Sequence, residues 1–226
     1  MNAQAIPPTP KIHIPVIYED ENCLVFNKPS GLLVIPTDKN EHHTLVNIVN
    51  QQQASPLYPA HRLDRDTSGV ILFAKGRDNQ EKLMQFFKEK QVQKTYIAFV
   101  HGHVAQPRGK IRIPIKDFHQ RKFAAHLPAQ SALTHYEVQE YYKNFTVVKV
   151  MPVTGRTNQI RIHFCKIGHP LVGEDKYAFR RDFALRFRRT ALHAQRLEWP
   201  HLGGGRMISV EAPLPKDMAD FLEQQR

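Results

Sequence analysis

The sequence predicts an α+β domain built on a mixed, largely antiparallel central sheet flanked by short helices and loops. Strand-like runs are grouped along the chain with only short helical patterns between them, and the regular strand-helix alternation of a doubly wound parallel sheet is missing. The run of three glycines, Gly203 to Gly205, falls late and has neither phosphate-loop nor dinucleotide-fingerprint spacing, so no ATP or NAD site is expected. A chain of 226 residues, 41% of them hydrophobic, can bury a substantial core as one domain.

The elements follow in order. Val16-Ile17-Tyr18 and Cys23 to Phe26 are short strands around the turn Glu19 to Asn22, followed by the loop Lys28-Pro29-Ser30-Gly31. Thr44 to Gln53 is a short helix, and Gly69 to Ala74 a brief apolar run bounded by turn residues, as in a strand inside a sheet. Asp78 and Glu81 have capping-box spacing and Leu83, Phe87 and Val92 continue an apolar face, which predicts a helix over 79–91. Strands are expected over Lys94 to His103, Ile111 to Ile115, Ala132 to Tyr142 and Asn144 to Val153. A helix from Thr157 to Ile167 stops at Gly168, strands at Ala191 to Trp199 and Met207 to Glu211 follow, and Pro215-Lys216-Asp217 opens a closing helix. Residues 1–13 form a polar tail, and 14–226 the domain itself.

The formal charge of +11 is unevenly spread: residues 76–126 supply +7 and residues 176–190 supply +5. Clustered cations favour a polyanion partner, because neutralising phosphates releases counterions, and nucleic acid is the natural candidate. Anionic membrane fits less well, since Phe179, Phe183, Leu185 and Phe187 form no clean stripe among the arginines. No run approaches the roughly 20 apolar residues of a membrane span, and Met1 to Pro10 does not read as a secretory signal. Cys23 and Cys165 are far apart and make no CxxC pattern, which suits a reducing cytoplasm.

Two polar clusters could carry chemistry. HRLDRDTSG, His61 to Gly69, places two carboxylates, two guanidiniums and an imidazole on a loop feeding a buried strand, where side chains are both held and accessible; a surface turn with idle ion pairs is the alternative. TGRTNQIRIHF, Thr154 to Phe164, puts Arg156, Gln159 and Arg161 at a helix start, where anions are welcome; an exposed basic helix is its alternative. Tyr96, in KTY, reads as a structural tyrosine unless a cleft claims it, and Ser68 as a turn residue without the GxSxG elbow of a hydrolase. The thirteen histidines form no recognised ligand pattern, so no metal is expected.

Taken in order, YEDENCLVFNKPSGLLVIPT (18–37), HRLDRDTSG, KTY, TGRTNQIRIHF, GHPLVGEDKY (168–177), LHA (192–194) and the ending EAPLP resemble the RluA-type RNA pseudouridine synthases along nearly the whole chain. The resemblance implies the pseudouridine synthase catalytic fold and an isomerase that converts uridines of ribosomal or transfer RNA to pseudouridine. It implies Asp64 as the catalytic aspartate, Arg161 as its salt-bridge partner, Tyr96 stacked on the target base, Leu192 beside it, and Arg62 filling the space left by the flipped uridine. Arg156 and Gln159 are expected to bind substrate. Asp66 is the rival carboxylate, and its place in the motif is variable. Asn158 is a departure, since a histidine is usual there.

Base extrusion costs a few kcal/mol, which an inserted side chain and aromatic stacking offset in part. The reaction involves no redox change, so no cofactor is implied. An ionised carboxylate is required, and an arginine beside Asp64 would favour that form. The S4-type RNA-binding domain of larger relatives is not expected here, so the two basic segments, Arg180, Arg181, Arg188 and Arg189 among them, should contact RNA. A monomer is the default. The competing readings are a noncatalytic RNA-binding or ribosome-assembly protein and, without visible paired carboxylates or a metal cluster, a hydrolytic glycosidase or nuclease.

Overall fold

The computed structural model describes residues 12–116, 128–178 and 185–226. Its elements are β1 (Val16–Glu19), β2 (Cys23–Lys28), α1 (Leu45–Asn50), β3 (Leu57–Pro59), β4 (Ser68–Lys75), α2 (Arg77–Lys88), β5 (Gln93–His101), β6 (Arg108–Ile111), β7 (Thr134–Tyr141), β8 (Phe145–Pro152), α3 (Gln159–Lys166), β9 (Leu192–Pro200), β10 (Met207–Glu211) and α4 (Lys216–Gln224). The strands form one sheet with the path β1-β2-β4-β9-β5-β8-β7-β6, to which β10 adds by pairing β9 and β3 by pairing β4. Every strand pair is antiparallel except β4 with β9, which meet in parallel at Ser68↔His193 and Gly69↔Ala194. The mixed, largely antiparallel sheet flanked by short helices is therefore what forms. Among the described residues no helix is long and apolar enough to cross a membrane.

The strand period explains why the central strands read as unbroken apolar runs. Along β2 and β4, Val25, Val70, Leu72 and Ala74 pack into one cluster while Leu24, Phe26, Ile71 and Phe73 pack into another. Successive side chains point to opposite faces, so a strand covered on both faces has no polar alternation. Each helix closes one cluster: Leu83 of α2, Leu45 and Val49 of α1, Ile160 and Phe164 of α3, and Met218 and Phe221 of α4. Each such buried side chain contributes roughly 1.5–3 kcal/mol.

Several boundaries differ from the sequence reading. No capping box forms at α2: its N-cap is Gly76 at φ 88°, with no side-chain cap, and Asp78 sits in the first turn, where its charge meets the positive end of the helix dipole. The strand expected over Ile111 to Ile115 lies earlier, at β6, because Pro114 cannot donate to a ladder; Ile115 makes only an isolated bridge to Gln130. Three-residue β3 went unseen, since so short a run carries no period. Ser68 is not a turn residue but the buried first residue of β4.

Gly69 sits where β4 meets β9, with φ +111°, and a Cβ there would lie 2.1 Å from the Ala194 carbonyl oxygen. Both the backbone angle and the close approach require glycine. Gly69→Ala is expected to lose at least about 2 kcal/mol of stability; thermal melting checks it, and a melting temperature within a degree of the parent would refute this account of the β4–β9 junction.

Candidate active site

A cleft of about 590 Å³ opens where β5 begins and antiparallel β8 ends, with Leu192, the first residue of β9, in its wall. Its walls come from His61 to Thr67, the C-terminal end of α2, the start of β5, the turn from Pro152 into α3, and Leu192. All seven candidate residues line it: Asp64, Arg161, Tyr96, Arg62, Leu192, Arg156 and Gln159.

The loop bearing Asp64 is held by two buried cations. From one side comes Lys28, fully buried, whose ammonium donates to the carbonyl oxygens of Pro29 (2.9 Å), Leu32 (2.7 Å) and Arg65 (2.9 Å). Burial lowers its pKa to about 7, against the opposing pull of Asp66 and Asp64. From the other side comes Arg189, whose Nη1 donates to the carbonyls of Asp66 (3.0 Å), Thr190 (3.1 Å) and Leu192 (3.2 Å), and whose Nη2 reaches Ser68 Oγ (3.4 Å). Asp217 at the start of α4 neutralises it with two hydrogen bonds of 2.7 and 2.9 Å. Ser68 Oγ also meets Nδ1 of buried His193 at 3.0 Å. The Thr67 amide donates to the Asp64 carbonyl at 3.2 Å, closing the turn.

Asp64 itself is half-buried, and its charge bears on Lys28, Tyr96 and Arg161. Burial, and then Asp64, push the Tyr96 phenol well above its ordinary range, so this ring is a neutral platform. His61 is not an acid or base: its Nε2 accepts the Leu72 amide at 3.1 Å, its ring lies 4.7 Å from that of Phe87, and burial, then Lys94, lower its pKa to about 3.

Arg161 is nearly buried, and its bidentate partner is Glu174, a residue the sequence reading did not single out. Nε and Nη2 donate to the two Glu174 oxygens at 2.7 Å each, and Nη1 donates to Asn158 Oδ1 at 3.2 Å. Burial disfavours charge on both members, but the hydrogen bonds and charge between them prevail: Arg161 is raised and Glu174 lowered. The Glu174 carboxylate also accepts the Lys176 and Tyr177 amides at 2.9 and 3.2 Å. Asn158, at φ 54°, occupies the left-handed N-cap of α3 and joins Arg161 to Tyr177, whose hydroxyl accepts from its Nδ2 at 3.0 Å.

The remaining candidates divide by exposure. Arg62 and Arg156 are exposed at the rim, whereas Leu192 and Gln159 are buried in the wall. The Gln159 amide is fully engaged: Nε2 donates to Leu133 O and Thr134 Oγ1, and Oε1 accepts from Thr154 Oγ1 and the Arg156 amide. It shapes the Thr154–Arg156 turn. The second basic segment is only partly a surface: Arg188 is exposed but Arg189 is buried in the lattice around the Asp64 loop, so its part in an RNA-facing surface is corrected; Arg180 and Arg181 lie outside the described residues. Lys28, Glu174 and Asp217 went unseen because their role is set by partners distant in the chain; only the KPSG and GEDKY strings marked the first two.

One group of metal-ligand type is present among the described residues, Asp20, Glu21 and His201, outside the cleft. His201 Nδ1 accepts the Gly203 amide at 3.0 Å, which leaves the ring proton on Nε2, facing Glu21 and Asp20 at 3.4 and 3.8 Å. At those separations Nε2 makes no hydrogen bond among the described residues.

Residues 22–166 match the family described as RNA pseudouridylate synthase. The chain is 37% identical over 221 residues to the uncharacterized RNA pseudouridine synthase YlyB of Bacillus subtilis (strain 168), covering 93% of this chain and 72% of that protein. It is 36% identical over 211 residues to the dual-specificity RNA pseudouridine synthase RluA of Pasteurella multocida (strain Pm70), covering 92% and 95%. Among solved structures, human RNA pseudouridylate synthase domain containing 4 superposes with a TM-score of 0.76 at 24% identity over 93% of this chain and 92% of that one, a likeness of fold.

The Arg161–Glu174 pair sets an acid limit. The Glu174 carboxyl is lowered from its ordinary 4.5, so its stabilisation is complete above that value and is lost as pH falls through the folded value. Glu174→Gln is expected to cost about 3 kcal/mol at pH 7, since it takes from a nearly buried cation its bidentate counter-charge and leaves only the more exposed Asp175 at 3.6 Å and the charge of Asp64. Melting temperatures between pH 3 and 7 should fall less steeply on the acid side for the variant than for the parent; parallel curves would refute the assignment.

Proposed function

We propose that this chain, which belongs to the RluA-type RNA pseudouridine synthases, modifies uridines of ribosomal or transfer RNA with Asp64 as its catalytic group. As an RNA pseudouridine synthase it is an isomerase. The bond between ribose C1′ and uracil N1 breaks, the base turns, and C1′ bonds to C5; the C5 proton leaves and N1 gains one, so electrons balance without an external carrier. The observation that carries the role of Asp64 is convergence: it shares one cleft with Tyr96, Arg161, Arg62 and Leu192, which come from separate parts of the chain.

The residues divide the work by their chemistry. The neutral ring of Tyr96 and the Leu192 side chain offer an uncharged uracil an apolar slot, and stacking offsets part of the cost of extrusion. Exposed Arg62 at the rim is the side chain able to enter the gap in the RNA. The Asp64 carboxylate would act in its ionised form whether it attacks C1′, attacks C6 or removes a ribose proton, and Lys28 and Arg161 surround it with positive charge. Glu174 is a positioning residue acting through Arg161. In this reading the protein acts in the cytoplasm as a monomer, without a metal or organic cofactor. Relatives bear names of ribosomal large subunit synthases and of dual-specificity enzymes, which motivates testing both RNA classes.

The test is tritium release from RNA carrying C5-tritiated uridine. The parent protein should release tritium from ribosomal RNA, transfer RNA or both, and Asp64→Asn should lower the rate by at least about 100-fold. Release by the variant within a few fold of the parent would remove Asp64 from the chemistry; tight RNA binding with no release by the parent would favour the noncatalytic RNA-binding or ribosome-assembly reading.

A further inference from the structure

We infer that Lys94 forms a phosphate subsite inside the cleft, holding a backbone phosphate of RNA beside the flipped uridine. The inference rests on the reading of this cleft as the place where RNA is modified. Lys94 lies near the start of β5, two residues before Tyr96, and alternation along a strand sends both side chains to the same face. Both line the cleft. The strand that presents a ring to the base thus presents an ammonium to whatever lies next to that base.

What singles out Lys94 among the deep cations is that, among the described residues, it has neither a counter-charge nor a full set of acceptors. The other deep cations near the site are satisfied: Lys28 by three carbonyls, Arg161 by Glu174, Arg189 by Asp217. Lys94 Nζ makes one long hydrogen bond among the described residues, 3.3 Å to the Thr154 carbonyl, out of three donors. The ionisable groups on the elements packed about it do not compensate it. His61 is neutral, Arg62, Lys88, Lys90 and Arg156 in the cleft wall repeat its sign, Asp64 in the same wall bears on Lys28 and Arg161, and on neighbouring β9 Glu198 is paired to Arg196 at 2.9 Å. Burial alone lowers its pKa to about 8. A half-desolvated ammonium with spare donors is a cost to the free protein and an asset once an anion arrives. A compact point charge on a flexible stem suits a phosphodiester, and the rim cations Arg62 and Arg156 extend the same positive surface to the neighbouring backbone.

The competing account makes Lys94 a staple between β5 and the Thr154 carbonyl. The two differ in linkage: phosphate at Nζ must draw a proton onto the amine above pH 8, and it must contribute to the salt dependence of RNA binding. The experiment uses Asp64→Asn as the parent to prevent turnover and unmodified ribosomal and transfer RNA transcripts as probes. Adding Lys94→Gln should weaken binding roughly tenfold and lower the slope of log affinity against log salt by about 0.7–0.9. Adding Lys94→Arg should keep the slope. At pH 8.5, calorimetry in two buffers of different ionisation enthalpy should show proton uptake by the parent that both Lys94 variants lack. An unchanged slope and unchanged uptake in Lys94→Gln overturn the subsite, and a Lys94→Arg variant that loses the slope overturns it too. Tritium release by the protein with Asp64 intact, measured alongside, separates the failures: release with an unchanged slope overturns the subsite alone, and no release overturns the reading of the cleft beneath it.

Discussion

The guanidinium of Arg189 is the interaction on which the site's geometry most depends. One planar group joins three parts of the chain: it donates to the Asp66 carbonyl in the loop of Asp64, to the Thr190 and Leu192 carbonyls at the start of β9, and to Asp217 at the start of α4. Five donors in a fixed fork can hold several backbone segments in one arrangement, which a lysine could not do. The parallel contact between β4 and β9 is short, only two residue pairs, so the ladder alone would hold the loop weakly. Arg189 supplies the missing constraint, and the docking of α4 through Met218 and Phe221 brings Asp217 to it. A helix at the far end of the sequence thereby helps to fix a loop near its beginning.

Lys28 performs the complementary service from the opposite side with a different economy. An ammonium bound to three carbonyls has its donors satisfied without an ion pair among the described residues, and burial lowers its pKa to about 7 against the pull of Asp66 and Asp64. Arg161 keeps its charge because Glu174 answers it through two oxygens. The cleft thus contains cations in graded states of satisfaction, and their grading follows from which partners the fold delivers. A site that must accept a polyanion while keeping a carboxylate ionised gains from this order: fixed positive charge beneath, available positive charge at the rim.

Much of this was legible in the sequence and some was not, for physical reasons. The apolar runs of β4, β5 and β8 announced strands covered on both faces, and Gly168 announced the end of α3, with φ +84° just beyond it. HRLDRDTSG and TGRTNQIRIHF stood out because polar residues crowded before a buried element have few structural reasons to be there. The partners of those residues could not be read, because Glu174 and Asp217 look like ordinary acids until the fold closes. Arg189 misled for the converse reason: within a run of arginines nothing local distinguishes the one whose neighbours supply a buried carboxylate. Gln159, taken for a substrate contact from its place at a helix start, turns out to have all its polar atoms engaged in forming the turn that exposes Arg156.

Asn158 shows how a departure from a motif can leave its physics intact. The position needs a residue that tolerates φ 54° and that offers one acceptor to Arg161 Nη1 and one donor to the Tyr177 hydroxyl. Asparagine meets both demands, being enriched in the left-handed region and carrying a carbonyl and an amide. Histidine, the usual occupant, is also enriched there and, when neutral, also carries one acceptor and one donor. Exchange between the two preserves the backbone turn and the bridge, so the constraint at this position is the left-handed cap with a two-sided hydrogen-bonding side chain. What the exchange removes is a ring able to take up a proton: with Asn158 in place, the charge balance of Arg161 comes from carboxylates, Glu174 through two hydrogen bonds, Asp175 at 3.6 Å and the charge of Asp64.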